Sequence, residues 1–178
     1  MASLPDRMIG AMKGDARTFQ EIEADPNAMG QAVMVIVIAG LAALIGNIFR
    51  AGIMLGIFSL VLSLIGYAVW TVLIVLIGTK LLPEPSTKAD FAEGFRVIGF
   101  TASPGVFHVI AIIPFLGPFL SFLVSIWTLI ITVVAVREVL DYSNIGRAIL
   151  VCVIAFVIIV ILYVVIWVPL LMARMVMG

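Results

Sequence analysis

The chain has 178 residues, of which 64% are hydrophobic and only 11% charged, with a mean hydropathy of +1.32. Soluble domains run at about 45–50% apolar and about 25% charged, so the composition excludes an ordinary soluble fold and marks a polytopic membrane protein. Ten basic and ten acidic residues cancel, which gives no reason to expect a nucleic-acid partner, and the lone Cys152 excludes an intramolecular disulfide.

The opening residues, MASLPDRMIG, lack the apolar core of a secretory signal peptide, so insertion is expected from the crossings themselves. Leu4, Met8, Met12, Ala16, Phe19 and Ile22 recur every three or four residues and predict one amphipathic helix over 4–24, on the membrane or against the bundle. Its charges are mixed, so the apolar stripe must supply any attachment, and Gly10 and Gly14 each weaken the helix. Asp25-Pro26 then starts the first crossing, because Asp caps free N–H groups and Pro fits the first helical turn. That crossing is expected over 27–49, with Gly40, Ala43 and Gly46 as a small-residue stripe for close helix approach. Asn47 and Arg50 mark its far end.

The second crossing, 52–79, opens with Gly52-x-x-x-Gly56 and carries Ser59, Ser63, Tyr67 and Thr71 at spacings of four. That polar seam is expected to face other helices. Pro83 and Pro85 then stop the helix, and Thr87 with Asp90 resembles a capping box ahead of a short interfacial helix bearing Phe91, Phe95 and Ile98.

From Val97 to Val136 the sequence holds 40 residues without Asp, Glu, Lys or Arg. One crossing needs roughly 20 apolar residues, so this stretch predicts two, near 97–113 and 119–136, with the turn at Pro114–Pro118. Pro104-Gly105 interrupts the first of these, and the carbonyls it frees are tolerable only inside protein or beside water. The next helix has a second hydroxyl seam, Ser121, Ser125, Thr128 and Thr132, expected to face the first. A short polar loop leads to the last crossing, 148–173, which has few small or polar positions and is expected at the periphery, with Tyr163 and Trp167 near the far interface.

The fold class is therefore all-α: a membrane bundle of five transmembrane helices (26–178) preceded by an amphipathic segment (1–25). Five crossings place eight basic residues on one side and two on the other. The positive-inside rule then puts the N-terminus in the cytoplasm and the C-terminus outside.

Four stretches in order, RMIGAMKGDARTFQEIEADPNAMGQAVMV, FRVIGFTASPGVF, IPFLGPFLSFLVSIWTLI and AVREVLDYSNIGRAI, resemble the Yip (Ypt/Rab-interacting protein) family of five-span membrane proteins, in particular its prokaryotic branch. The similarity covers roughly Arg7 to Phe156. It implies five helices, a cytoplasmic N-terminus and a bacterial cytoplasmic (inner) membrane address. Eukaryotic members are associated with Golgi and endoplasmic-reticulum traffic and with prenylated small GTPases. This sequence lacks the Asp-Leu-Tyr-Gly-Pro motif and the long N-terminal domain of those members, so the GTPase role does not transfer.

His108, the one histidine, falls in the third crossing, where an ionisable group is a functional candidate by default. It suits a proton relay or a headgroup contact; the alternative is a neutral imidazole bonded to a hydroxyl or to a carbonyl freed by Pro104. Arg137-Glu138 closes the fourth crossing, and Arg137 and Asp141 are spaced to pair on one helix face. With Arg96 and Glu93 at the same level they form a candidate cluster for a lipid phosphate or a partner, against ordinary snorkelling at a helix end. No His-Glu-x-x-His, Gly-x-Ser-x-Gly, phosphate loop or dinucleotide fingerprint occurs. The expectation is a non-catalytic protein without cofactor or metal. It would organise membrane lipids or membrane-protein partners or shape the bilayer, as a homo-oligomer. The rival is a small transporter or channel using the Pro104-broken helix and His108.

Overall fold

A computed structural model describes residues 2–177, with side chains described at 2–49 and 52–165. The side chains of Arg50, Trp167 and Arg174 therefore lie outside the described residues.

The N-terminal stripe folds as two helices, not one: α1 (Leu4–Met12) and α2 (Ala16–Ala24). Ser3 and Asp6 form a capping box at the start of α1, and Asp15 caps α2, its carboxylate accepting from the Arg17 amide. A cap residue in the middle of a predicted helix ends one helix and starts another. The two pack as a hairpin whose inner face buries Arg7, Ala11, Phe19 and Ile22 against the bundle.

A helical run Ala28–Leu76 breaks at Gly52, whose φ of 75° lies where side chains are disfavoured. It divides into α3 (Ala28–Phe49) and α4 (Gly52–Leu81), the latter closing with a π turn, Ile77–Leu81. Gly52 thus serves the turn, not the packing face expected of it. The hairpin is antiparallel: Gly40 packs on Leu60, and Gly56 on Leu44.

The third crossing is α5 (Phe91–Phe100) followed by a 3₁₀ segment, Ser103–Ile112, the two bent by 40°. Asp90 and Glu93 form the capping box of α5, three residues beyond the expected Thr87–Asp90 pair. Thr87 instead donates to the Leu140 carbonyl at 2.8 Å, tying this loop to the one after α6. Pro104 sits in the first turn of the 3₁₀ segment. The end of α5 is closed by buried hydroxyls, with Thr101 donating to Ile98 O at 2.7 Å and Ser103 to Phe100 O at 2.6 Å. This crossing runs parallel to α3 through small residues: Gly99 meets Ala32, Gly105 meets Ala39, and Gly46 meets the 3₁₀ backbone. A Cβ at Gly46 would stand 2.1 Å from the His108 carbonyl oxygen, so only glycine admits this approach.

The chain then runs through α6 (Leu116–Val139) and α7 (Ile145–Met177). The described part of α7 exposes Ile149, Leu150, Val153 and Phe156 while burying Ala148, Val151, Cys152 and Ala155, a peripheral placement. Among the described residues, four helices are long and apolar enough to cross a membrane, or five if the bent pair counts as one crossing. No strand occurs among the described residues. The result is an integral membrane all-α bundle.

Burial is uneven. Phe19, Ile22, Val35, Ile98, Phe100, Val136, Val139 and Leu140 are fully enclosed near one end, where the charged residues lie. At the other end Phe49, Met54 and Phe115 are 87%, 78% and 96% exposed. A broad exposed apolar surface is what a lipid-facing wall requires.

Candidate functional site

Two places gather polar side chains. The first is the charged end, where α1 and α2 pack against α5 and α6. Arg7 is 1% exposed and joins three elements, donating to Gln31 at 2.8 Å, Asp25 at 2.7 Å and Glu21 at 3.0 Å. Arg96, 8% exposed on α5, donates through Nη2 to the Glu23 backbone carbonyl at 2.5 Å. Gln20 of α2 donates to Glu138 of α6 at 3.0 Å, and the Trp127 indole N–H donates to Met12 O at 2.9 Å.

Of the residues singled out in the sequence, Arg96, Arg137, Glu138 and Asp141 meet at this end, and His108 does not. Arg137 pairs with Glu138 at 3.5 Å and donates from Nε to Tyr142 O at 3.3 Å. It does not share a helix face with Asp141, because α6 ends at Val139 and Asp141 has turned to a φ of 52°. Ser86 donates to the Asp141 carbonyl oxygen at 2.9 Å.

Three residues at this end escaped the sequence reasoning. Glu23 stands half-buried near Asp141, Glu93, Arg96 and Glu138, and burial first, then its acidic neighbours, pushes its carboxyl up to about 7. Its place on the polar flank of an amphipathic stripe gave no hint of this. Tyr142, 3% exposed, donates to Leu82 O at 2.8 Å, and Glu84 pairs with Arg147 at 3.1 Å. Together they fasten the loop after α4 to the loop before α7.

The second place is a cavity of about 410 Å³ between α4 and α6. Parts of the two hydroxyl seams face each other there, while Thr71 packs toward Gly94 and Ser121 stays outside the cavity. Ser63, Gly66, Tyr67 and Trp70 line it from α4, Ser125, Thr128, Leu129 and Thr132 from α6, and Thr101 from the third crossing. Beside it an all-apolar trough of about 280 Å³ runs between α4, α6 and α7, sharing Trp70 and Leu129. Ser59, the outermost seam residue, faces a different cavity, between α3 and α4.

His108 lines none of these spaces. Its Nδ1 lies 3.1 Å from Gly105 O within the 3₁₀ segment, so the imidazole is bonded to a main-chain carbonyl one turn back. Asn47 donates to Ala43 O at 2.9 Å on its own helix. Among the described residues no group of three or more His, Cys, Asp or Glu is placed to hold a metal ion.

The family model of the Yip1 domain matches residues 9–168 of the chain. No curated protein and no solved structure matches it.

Proposed function

Because the chain belongs to the Yip1 domain family, as a non-catalytic integral membrane protein, we propose that it organises lipid or protein partners at the cytoplasmic surface of a bacterial inner membrane. It belongs in this reading to the prokaryotic branch of the family. Its architecture is five crossings (26–178), the bent pair forming the third, with an interfacial N-terminal segment (1–25). The N-terminus is cytoplasmic and the C-terminus outside, because the loops at the charged end hold most of the basic residues. The protein acts as a homo-oligomer or beside a membrane-protein partner.

The observation behind this reading is the cap that α1 and α2 build over the charged ends of α5 and α6. Its inner side is bonded to the bundle by Arg7, Arg96 and Gln20. Its outer side presents Asp6, Lys13, Asp15, Arg17 and Glu21 to solvent. A rigid, mixed-charge surface suits recognition of a partner by complementary charge better than adhesion to an anionic bilayer. Arg96, Arg137, Glu138 and Asp141 form the site's inner edge. Phe91, 44% exposed at the start of α5, is its membrane contact. Phe19 is wholly buried and supports the cap from within.

Reconstitution in liposomes tests this. The expected result is no ion or solute flux, together with clustering or deformation of vesicles that Phe91→Asp abolishes. A flux that His108→Ala removes would overturn the organising role and establish the transporter.

A further inference from the structure

We propose that the α4–α6 cavity and the trough beside it bind one uncharged lipid carrying a free hydroxyl, its hydroxyl in the cavity and an acyl chain in the trough. The site is separate from the charged cap on which the functional reading rests, so either can fail without the other.

The hydrogen-bond bookkeeping of the cavity selects the ligand. Each of its five Ser and Thr hydroxyls has one proton to donate, and each gives it to a main-chain carbonyl of its own segment. Ser63 donates to Leu60 O at 2.7 Å and Thr101 to Ile98 O at 2.7 Å. On α6, Ser125 donates to Ser121 O at 3.0 Å, Thr128 to Val124 O at 3.0 Å and Thr132 to Thr128 O at 2.8 Å. What these side chains still offer the cavity is oxygen lone pairs. The Tyr67 hydroxyl and the Trp70 indole also line the cavity and bring one O–H and one N–H to its wall. The cavity therefore suits a group that donates to these lone pairs and can accept from Tyr67 or Trp70, as a hydroxyl does.

Charge selects further. No residue lining either space is charged, so a phosphate or carboxylate would enter without a counter-ion and an ammonium without a carboxylate, both costly in a bilayer interior. An uncharged hydroxyl meets neither penalty. Shape completes the argument. The cavity has a buried floor at Thr101 and Thr132 and exposed rims at Gly66 and Ser125, so it opens sideways toward the acyl chains. The trough sharing Trp70 and Leu129 is lined by Val133, Ile149, Val153 and Phe156 and exposes no polar surface. Thr132 and Ser125 lie five and twelve residues from Arg137 along α6, or ~7.5 and ~18 Å at the helical rise. That depth lies below the headgroups, where a lipid lacking a charged headgroup can sink. Diacylglycerol is the simplest lipid that fits.

The test uses the full chain in phosphatidylcholine nanodiscs with two photoreactive diacylglycerols, one with its hydroxyl free and one with it methylated. The free-hydroxyl probe is expected to label peptides 63–70, 125–133 and 149–156. Methylation should lower labelling by about 3- to 30-fold, the worth of one or two membrane hydroxyl contacts. The near-isosteric Thr128→Val with Ser125→Ala should lower it similarly for the free-hydroxyl probe alone. Equal labelling by both probes, or labelling confined to other peptides, overturns the proposal. So does ready oxidative cross-linking of Ser125→Cys between copies without probe labelling, which would make the groove a protein interface. The probe comparison on unaltered protein decides the matter even if the variants do not fold.

Discussion

Two guanidinium groups are buried at the same end of the bundle, and their surroundings differ in kind. Arg7 is ringed by side chains, an amide and two carboxylates from different parts of the chain. Arg96 is held by a main-chain carbonyl, and although it neighbours Glu23 together with Glu93, Glu138 and Asp141, the ion pairs among the described residues do not join it to any of them. In each, the Nε atom is buried without a partner. The first arrangement is a fixed tie, satisfied by opposite charge at every ordinary pH. The second leaves surplus negative charge beside the α2–α5 contact, so its strength depends on how many of those carboxyls hold a proton.

The sharpest way to break the comparison is Arg7→Met. Removing one member of a buried ion pair costs about 3–5 kcal/mol, and the solvent exposure of Glu21 places the loss near the lower bound. Hydrogen exchange over 4–24 should rise to that of an undocked segment. Arg96→Met removes one charge-assisted bond, worth about 1.5–3 kcal/mol, and should loosen α2 while leaving the Arg7 cluster intact. Equal loosening of α1 would show that the two ties are one unit.

The pH response sharpens the contrast. The Glu23 carboxyl is raised from 4.5 to about 7 on docking, so the docked cap binds a proton that the released segment gives up. Stability from this group is fully present below pH 4.5 and is lost as pH rises through about 7. Because Glu23 is half-buried and partly screened, the expected loss is on the order of 1 kcal/mol. Protection factors of peptides within α2, with the intrinsic pH dependence of amide exchange divided out, should therefore fall between pH 5 and pH 8, and Glu23→Gln should flatten that fall. The smallest effect is expected from Tyr142→Phe, an uncharged control at the same end. Losing its bond to Leu82 O should cost about 1 kcal/mol, with no pH dependence, by thermal unfolding in detergent.

Much of the bundle was legible because lipid imposes long apolar runs, and parts of the two hydroxyl seams, read from spacings of three and four, meet across one cavity. Gly46 was likewise recognisable as a point of close approach. The N-terminal segment was harder to read. An apolar stripe continues through Lys13–Asp15, so periodicity alone could not show the chain turning there, and nothing local marks Arg7 for burial beside Gln31. At α5 two cap-like pairs overlap, and the choice between Thr87–Asp90 and Asp90–Glu93 is made by Leu140, far away in sequence. The segment holding His108 winds at about three residues per turn, which sets the Gly105 carbonyl one turn back against the imidazole; periodicity drawn for an α-helix does not show that contact. Asp141 was assigned to a helix face that ends two residues earlier.

The break at Gly52 and the short turn at Ile113–Phe115 make the far end of these crossings almost all membrane and no loop. In the proposed arrangement a protease, antibody or ligand confined to the far compartment has scarcely any chain to grip at the Gly52 break or at Ile113–Phe115. In that arrangement the capped end is the main water-facing surface, and the α4–α6 cavity is reached sideways, through lipid.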